Sequence, residues 1–279
     1  ERAKLDELQK KYAFECASTS EEISLNNVGL SGGSIGVSIL GKGRIDEKIL
    51  CALSEIGVRF LSTRSIGYNH IDLNAAKKYG FKLCNSQYPP EFTVMFMLMS
   101  LRKYKQALWL QQVNDYALDY LKGGVLRQKT VGVIGTGHIG GRVIEILSGF
   151  GCRILCHSAD HNPETARLAE YTDLETLYKQ SDVITFHVPL LPSTKYMVNS
   201  ESLAKMKDGV VLINTARGEL FDTEAIIEGV ENGKIGALAM DVFEGEDGIY
   251  HVDRTDDILR NRNMAYLRQF PNVVLTPHM

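Results

Sequence analysis

The feature that most constrains the fold of this chain is a regular alternation, from residue 130 onward, of short apolar runs with longer segments that can form helices. The apolar runs are rich in valine and isoleucine, as strands are. Continuous apolar strands joined by helices are typical of a parallel sheet that is covered on both faces. The pattern therefore predicts a doubly wound α/β fold, with strands over residues 130–134, 153–156, 183–188, 210–213, 237–242 and 273–276.

The first third of the chain shows the same alternation with less regular spacing. Strands are predicted over residues 34–40, 58–63 and 81–85, with a helix over residues 46–56. Two consecutive prolines, Pro89 and Pro90, then break the chain before an apolar segment, residues 92–101, that suits a buried helix. We therefore predict two doubly wound domains, residues 1–88 and residues 89–279.

Composition and charge exclude several classes of function. The 279 residues carry 31 Lys and Arg against 34 Asp and Glu, a net charge of −3, so nothing favours nucleic acid or an anionic membrane as a partner. No apolar run reaches the roughly 18 residues of a membrane-spanning helix, and we expect no signal peptide. The five cysteines are scattered without a CxxC spacing. They argue against a disulfide scaffold or a zinc site, so we expect no metal and a cytoplasmic location.

A glycine-rich turn follows the first predicted strand of the second domain. That strand leads directly into the pattern GxGxxG, and an apolar helix pattern comes after it. In such a turn Gly135 permits the tight bend, Gly137 lets the backbone approach a pyrophosphate, and Gly140 allows close packing of helix and strand. The amino terminus of the helix then offers free N–H groups to the phosphates. The alternative is a turn without a ligand, but strand, turn and helix together favour a dinucleotide-binding site.

The residue that reads the cofactor ribose is expected at the end of the second strand of that domain. Ser158 stands there, 18 residues after Gly140, and Asp160 follows in the predicted loop. Without a carboxylate at position 158 nothing repels the 2′-phosphate of NADP, yet no arginine follows to bind it. His157 or His161 would then have to take that role. The choice between NAD and NADP therefore stays open.

Polar side chains follow several of the predicted strands. The carboxyl ends of parallel strands share one edge of the sheet, where ligands bind. An arginine there can pair with a carboxylate or carbonyl oxygen through two N–H groups. A histidine can exchange the proton that accompanies hydride transfer, and a carboxylate beside it would orient its ring. The candidates are His187, Arg217, Asp241, Glu244, Glu246 and His278.

Ordinary structural explanations compete with these functional ones. Arg217 can form a surface ion pair, and Glu244 and Glu246 can belong to a solvated acidic turn. We expect His187 to be structural or to line the cofactor, and His251 to be inert in a polar loop.

Five strings of the sequence, in this order and spacing, resemble the D-isomer-specific 2-hydroxyacid dehydrogenases: GVIGTGHIG, HVP, INTARGEL, DVFEGE and NVVLTPH. Within that family, RSIGYNHID, VNDY and DVFEGE are most similar to D-lactate dehydrogenases, including the vancomycin-resistance type. The resemblance spans nearly the whole chain. It implies a flavodoxin-like substrate domain beside a Rossmann dinucleotide-binding domain. It also implies reversible hydride transfer between NAD(P)H and a small 2-keto acid, giving the D-2-hydroxy acid.

The resemblance also implies roles for individual residues. His278 would be the acid and base that acts on the substrate oxygen, Glu246 its carboxylate partner, and Arg217 the residue that binds and polarises the 2-keto acid. The other implied substrate-binding residues are Ile66, Gly67 and Tyr88. The implied cofactor-binding residues are Gly135, Thr136, Gly137, His138, Ile139, Gly140, Ser158, His187, Val188, Pro189, Thr215, Ala216, Arg217 and Asp241.

Compared with the family pattern, the chain lacks the opening strand and ends one residue after His278, before helices that return to the first domain. We therefore expect an incomplete substrate domain with exposed apolar surface and low stability. The helix around residues 92–109 and the region 111–121 match the segments through which relatives dimerise, which implies a homodimer. The aromatic residues of these segments include Trp109, Tyr116 and Tyr120. Packing within one chain would explain them nearly as well.

Three functional hypotheses follow. A D-lactate dehydrogenase would reduce pyruvate or a slightly larger acid. An alternative within the family would prefer bulkier acids such as 2-ketoisocaproate or phenylpyruvate, and kcat/KM across a chain-length series separates the two. A dinucleotide-sensing interaction protein on the same scaffold would bind NAD(P)H without turnover. The presence of Arg217, Glu246 and His278 together favours an enzyme, because a pure binding protein needs none of them.

Overall fold

The chain forms two separate parallel sheets, one from strands before residue 89 in the sequence and one from strands after it. The computed structural model describes residues 2–40, 43–65, 67–68, 70–86, 90–256 and 261–279. The chain divides into two compact units, Glu1–Tyr88 and Pro89–Met279. Each unit alternates parallel strands with helices, so the predicted α/β class is confirmed.

The first unit is built on a three-stranded parallel sheet. Its elements are α1 (Arg2–Tyr12), β1 (Gly36–Ile39), α2 (Glu47–Glu55), β2 (Phe60–Thr63), α3 (Leu73–Lys78) and β3 (Lys82–Asn85). The strands pair in the order β1-β2-β3. Asp46 and Asp72 begin α2 and α3 by accepting hydrogen bonds from the N–H groups of Ile49 and Ala75. The buried sides of α2, α3 and β2 form the core of this unit.

Several large apolar side chains of the first unit remain exposed. Ile35, just before β1, is 70% exposed, and Leu40, just after it, is 57% exposed. Phe60 on β2 and Leu83 on β3 are exposed as well. The exposed apolar surface expected from the sequence is therefore present, and the low stability expected with it stays a prediction.

The second unit is built on a seven-stranded parallel sheet. Its strands are β4 (Thr130–Ile134), β5 (Arg153–His157), β6 (Glu170–Tyr171), β7 (Val183–Phe186), β8 (Val210–Asn214), β9 (Ile235–Met240) and β10 (Val273–Leu275). They pair in the order β10-β9-β8-β7-β4-β5-β6. The direction of winding reverses between β4 and β7, and in such sheets ligands bind in the crevice outside the carboxyl ends at that point. The topology therefore places the binding crevice where β4 and β7 end.

Helices cover both faces of this sheet. They are α4 (Pro90–Leu101), α5 (Tyr104–Gln112), α6 (His138–Ser148), α7 (Leu174–Gln180), α8 (Ser200–Lys205), α9 (Thr223–Glu231) and α10 (Arg262–Leu267). One apolar core lies between the sheet and the pair α4 and α6. A second core lies between the opposite face and α7, α8, α9 and α10. Because both faces are covered, β4, β7 and β8 are buried almost throughout, which is why their sequences are apolar without alternation.

The structure differs from the sequence prediction in a few elements. The helix predicted around residues 92–109 is two helices, because Lys103 adopts a left-handed conformation (φ +52°) between α4 and α5. The short strand β6 was not predicted. The other predicted strands of this unit are confirmed with shifts of one or two residues at their ends.

Candidate active site

The glycine-rich turn lies at the carboxyl end of β4, in the predicted crevice. Gly135 follows the strand with φ +93°, a conformation that favours glycine, and its N–H donates to the His157 carbonyl oxygen at 2.8 Å. Helix α6 begins at His138, and no side chain caps its amino terminus at Gly137. The first N–H groups of α6 therefore stay available to a negatively charged ligand.

The three glycines of the turn are required for different reasons. A Cβ on Gly135 would lie 2.5 Å from the His187 carbonyl oxygen, and one on Gly140 would overlap the Gly135 carbonyl oxygen. A Cβ on Gly137, in contrast, would meet no protein atom within 4 Å, and its φ of −68° and ψ of −162° suit any residue. The protein itself does not need glycine at position 137. The open space beside it, at the start of a helix, fits the pyrophosphate of a dinucleotide.

Ser158 directly follows β5, the place expected from the sequence, and it is half-buried. The neighbouring His157 contacts the Thr172 carbonyl oxygen through Nδ1 at 3.0 Å. His161 stacks on Tyr171, whose hydroxyl donates to Thr136 Oγ1 at 2.9 Å. The two histidines are thus held in place, and Asp160 lies in the loop between them.

His187 packs against the glycine-rich turn at the end of β7. Its N–H donates to the Ile134 carbonyl oxygen at 2.7 Å, and its Nε2 lies 3.0 Å from Thr185 Oγ1. Burial lowers the pKa of His187 to about 4, so its ring is neutral at pH 7. This environment favours the structural or cofactor-lining role. Val188 and Pro189 continue the chain past the same turn.

The structure brings His278 and Glu246 together. His278 Nδ1 lies 2.5 Å from Glu246 Oε1, and the other carboxylate oxygen accepts the N–H of Phe243 at 2.7 Å. Both side chains are shielded, with 30% of His278 and 16% of Glu246 exposed. A ring nitrogen that faces a carboxylate carries the proton, so Nε2 is the nitrogen of His278 that is left for a substrate.

Asp241 directly follows β9 and is completely buried. Its Oδ1 accepts the Thr276 hydroxyl at 2.5 Å and the Met279 N–H at 3.0 Å. Within the described part of the chain its Oδ2 has no hydrogen-bond partner. Asp241 therefore ties the end of β9 to the segment that carries His278.

Arg217 lies in the loop after β8. Asn214 shapes this loop by accepting the Ala216 N–H at 3.0 Å and donating to the Arg217 carbonyl oxygen at 2.8 Å. Gly218 lets the loop pack directly on the backbone of Glu244, where a Cβ would overlap. The Arg217 guanidinium donates to the Ala216 carbonyl oxygen at 2.6 Å. No carboxylate of the described residues pairs with it, which leaves this half-buried charge available to an anionic ligand.

Glu244 has a structural role that differs from a solvated acidic turn. Its carboxylate accepts hydrogen bonds from the Tyr196 hydroxyl and, at 3.2 Å, from the Thr223 hydroxyl. Its carbonyl oxygen accepts from Asn261. Glu244 thus fixes the loop in which Glu246 reaches His278.

Two contacts of the site were not anticipated from the sequence. His251, expected to be inert, places Nε2 2.8 Å from the carbonyl oxygen of His278. Thr276 anchors Asp241, as described above. The first contact joins loops that lie 27 residues apart and has no local sequence signal. The second could have been sought in the TPH string, where a hydroxyl precedes the histidine by two residues.

The remaining predicted residues divide between the two units. In the second unit, Thr215 Oγ1 lies 3.0 Å from Thr93 Oγ1, and His138 and Ile139 form the first turn of α6. In the first unit, the Gly67 carbonyl oxygen accepts the Ser65 hydroxyl at 2.7 Å. The other two predicted substrate-binding residues, Ile66 and Tyr88, lie outside the described residues.

No helix in the described ranges is long and apolar enough to cross a membrane.

Two family matches cover almost the whole chain. Residues 94–279 match the NAD binding domain of the D-isomer specific 2-hydroxyacid dehydrogenases, and residues 4–94 match their catalytic domain.

Individual relatives agree with these matches. A D-specific alpha-keto acid dehydrogenase of Enterococcus faecalis is 40% identical, over 93% of this chain and 80% of its own length. An aromatic 2-oxoacid reductase of Clostridium sporogenes is 43% identical, over 90% of this chain and 77% of its own length. A solved structure of D-lactate dehydrogenase with NAD+ from Lactobacillus jensenii superimposes with a TM-score of 0.86 at 32% identity, covering 99% of this chain and 86% of that one. The chain therefore belongs to the D-isomer-specific 2-hydroxyacid dehydrogenase family, enzymes that reduce 2-keto acids to D-2-hydroxy acids with NADH.

Proposed function

We propose that this enzyme is a D-lactate dehydrogenase, which reduces pyruvate or a slightly larger 2-keto acid. Residues 1–88 would form the substrate domain and residues 89–279 the dinucleotide-binding domain. The similarity to the Lactobacillus jensenii D-lactate dehydrogenase supports the choice of substrate. When bound beside the glycine-rich turn, NADH supplies the hydride.

Arg217 is the residue proposed to bind the 2-keto acid. Its guanidinium is half-buried and lacks a carboxylate partner among the described side chains, so a substrate carboxylate or keto oxygen can take that place. A positive charge beside the keto oxygen also stabilises the negative charge that develops there during reduction. The backbone N–H groups of Ile66 and Gly67 and the side chain of Tyr88 are proposed as further substrate contacts.

His278 is proposed to donate the proton that the keto oxygen takes up. Because Nδ1 is engaged by Glu246, the proton leaves from Nε2. Glu246 holds the ring in one orientation and stabilises its positive charge before the transfer. In the reverse direction Nε2 accepts the proton of the hydroxy acid.

The observation that carries this proposal is the pair of Glu246, after β9, and His278, after β10. On the neighbouring loop after β8, Arg217 has no carboxylate partner among the described side chains. The test is steady-state reduction of pyruvate by the variants His278→Ala and Arg217→Ala. We expect kcat/KM to fall by at least about a hundredfold in each. Arg102→Ala, which removes an exposed arginine, is the matched control and should retain activity. Normal turnover by both site variants would reject the proposal.

A second candidate substrate is a bulkier 2-keto acid. It is favoured by the 43% identity to an aromatic 2-oxoacid reductase. Relative kcat/KM for pyruvate, 2-ketoisocaproate and phenylpyruvate separates the two, because each group that fits or fails to fit the pocket changes binding by about 1–3 kcal/mol.

We propose that NADPH is accepted besides NADH, because Ser158 places no carboxylate where the 2′-phosphate would lie.

We also propose a cytoplasmic location. All five cysteines are free thiols, which is usual in a reducing compartment.

We further propose a homodimer that forms through α5 and the segment after it. Trp109 on α5 is 63% exposed, Tyr116 is 70% exposed and Tyr120 is 73% exposed. Large exposed aromatic side chains are typical of interfaces. Light scattering after gel filtration tests this: the mass should be twice 31.1 kDa, and Trp109→Glu should reduce it to one chain.

A further inference from the structure

A cavity of about 250 Å³ opens at the edge of the seven-stranded sheet opposite the candidate active site. Its lining includes Lys129 just before β4, Asp182 just before β7, Val210 at the start of β8 and Asn272 just before β10. These positions are the amino ends of the strands. A strand of five residues spans about 16 Å, so the cavity is separate from the crevice at the carboxyl ends.

The lining of this cavity is strongly basic. Five lysines and two aspartates contribute to it, an excess of three positive charges. The aspartates are already paired: Asp182 accepts from Lys207 at 2.9 Å, and Asp208 accepts from Lys234, outside the cavity, at 2.7 Å. Lys105 is also fully used, because its Nζ donates to three backbone carbonyl oxygens at 2.8 Å each.

Three lysines of the lining retain free donors. Lys103 Nζ makes one hydrogen bond, to the Tyr120 carbonyl oxygen at 3.0 Å. Among the described residues, the side-chain amines of Lys122 and Lys129 have no hydrogen-bond or ion-pair partner. Burial would raise the pKa of Asp182, but Lys207, the Thr130 N–H and the charge of Lys129 lower it overall. Lys129 is therefore near enough to act on charges inside the cavity.

We propose that this cavity binds a small polyanion, a phosphate compound or a polycarboxylate with at least two negative charges. Ammonium groups form their strongest hydrogen bonds with such oxygens. The volume of about 250 Å³ is large enough for an anion of the size of pyrophosphate or citrate. Because the site lies at the opposite edge of the sheet, this anion is neither the substrate nor the cofactor.

The test is isothermal titration of the chain with pyrophosphate and, separately, with citrate, at constant ionic strength. Saturating NAD+ occupies the glycine-rich turn, so that anion binding there does not contribute. We expect binding of at least one of the two anions. Tighter binding of pyrophosphate would indicate a phosphate ligand, and tighter binding of citrate a polycarboxylate ligand. The double variant Lys122→Ala, Lys129→Ala should bind at least about tenfold more weakly. Lys10→Ala, Lys179→Ala removes the same charge from outside the cavity and should bind like the original chain.

Thermal unfolding provides a second readout that does not depend on a heat of binding. The anion should raise the Tm of the original chain and of the control, and leave the Tm of the Lys122, Lys129 variant unchanged. Binding that is equal in the double variant and the original chain overturns the proposal. So does the absence of binding by both anions up to about 10 mM.

Discussion

The Nδ1 atom of His278 lies 2.5 Å from Oε1 of Glu246, although 32 residues separate them in the sequence. The two loops meet because β9 and β10 are parallel neighbours and end at the same edge of the sheet. The N–H of Phe243 holds the second oxygen of Glu246. With both of its oxygens engaged, the carboxylate fixes the imidazole in one orientation.

Glu246→Gln should lower kcat for pyruvate by about a hundredfold and leave the KM for NADH nearly unchanged. The amide keeps the shape of the side chain but removes the negative charge that stabilises a protonated ring. Steady-state kinetics measures both constants. Glu228→Gln alters an exposed glutamate on α9 and should behave like the original enzyme. A Glu246→Gln variant with the original kcat would contradict the role of this carboxylate.

Two alanine substitutions in the glycine-rich turn should differ in their effect on stability. Gly137→Ala should leave the free energy of unfolding unchanged or raise it by up to about 1 kcal/mol, because the new methyl group meets no protein atom. It should nevertheless weaken NADH binding. Gly140→Ala should cost about 2 kcal/mol or more, because its methyl group overlaps the Gly135 carbonyl oxygen.

Urea unfolding and NADH fluorescence titration measure these two quantities. Tight NADH binding by Gly137→Ala would show that position 137 does not face the cofactor. Loss of stability in this variant would show that the added methyl group meets protein atoms.

The parts of the structure that the sequence predicts are those with a local signal. The buried strands β4, β7 and β8 are apolar without interruption, and the turn at Gly135 has a fixed glycine pattern, so both were recognised. The break between α4 and α5 was not, because Lys103 is neither glycine nor asparagine and gives no sign of a positive φ. Strand β6 has only two residues, too few for a periodic pattern.

Contacts between loops that are distant in the sequence could not be predicted, because no local pattern marks them. The bond from His251 to the His278 carbonyl oxygen depends on how two loops fold over the end of the sheet. Histidines occur in many polar loops, so the residue types alone do not predict this contact. The family resemblance supplied roles for His278 and Glu246, but the partners that hold them became visible only in three dimensions.

The original enzyme should use NADPH with a kcat/KM within about tenfold of that for NADH, a difference below about 1.4 kcal/mol. Ser158 follows β5 without a carboxylate that would repel the 2′-phosphate. Ser158→Asp should lower kcat/KM for NADPH at least about tenfold and spare NADH. Ser148→Asp, at the end of α6, is the control. A preference of the original enzyme for NADH above tenfold would refute the permissive role of Ser158.

Stability should fall below pH 6.5 because of His187. Its pKa is about 4 in the folded chain, owing to burial, and about 6.5 when unfolded, so the unfolded chain takes up a proton that the folded chain refuses. The resulting loss in the free energy of unfolding is complete only below pH 4, and it amounts to about 2 kcal/mol between pH 7 and pH 5. His187→Gln, whose amide can still contact Thr185, should lose about 2 kcal/mol less over this interval. Equal losses in urea unfolding of both proteins would show that His187 is not the group responsible.

His251 should act as a positioning residue for His278. His278 has a φ of +56°, a conformation that costs a non-glycine residue about 1 kcal/mol, and His251 Nε2 donates to its carbonyl oxygen at 2.8 Å. Loss of one such hydrogen bond, worth about 1 kcal/mol, should lower kcat about fivefold in His251→Ala and leave the KM for NADH unchanged. His251→Gln, whose amide can donate to the same oxygen, should restore most of kcat. If both variants lose activity equally, or neither does, the hydrogen bond does not position the catalytic ring.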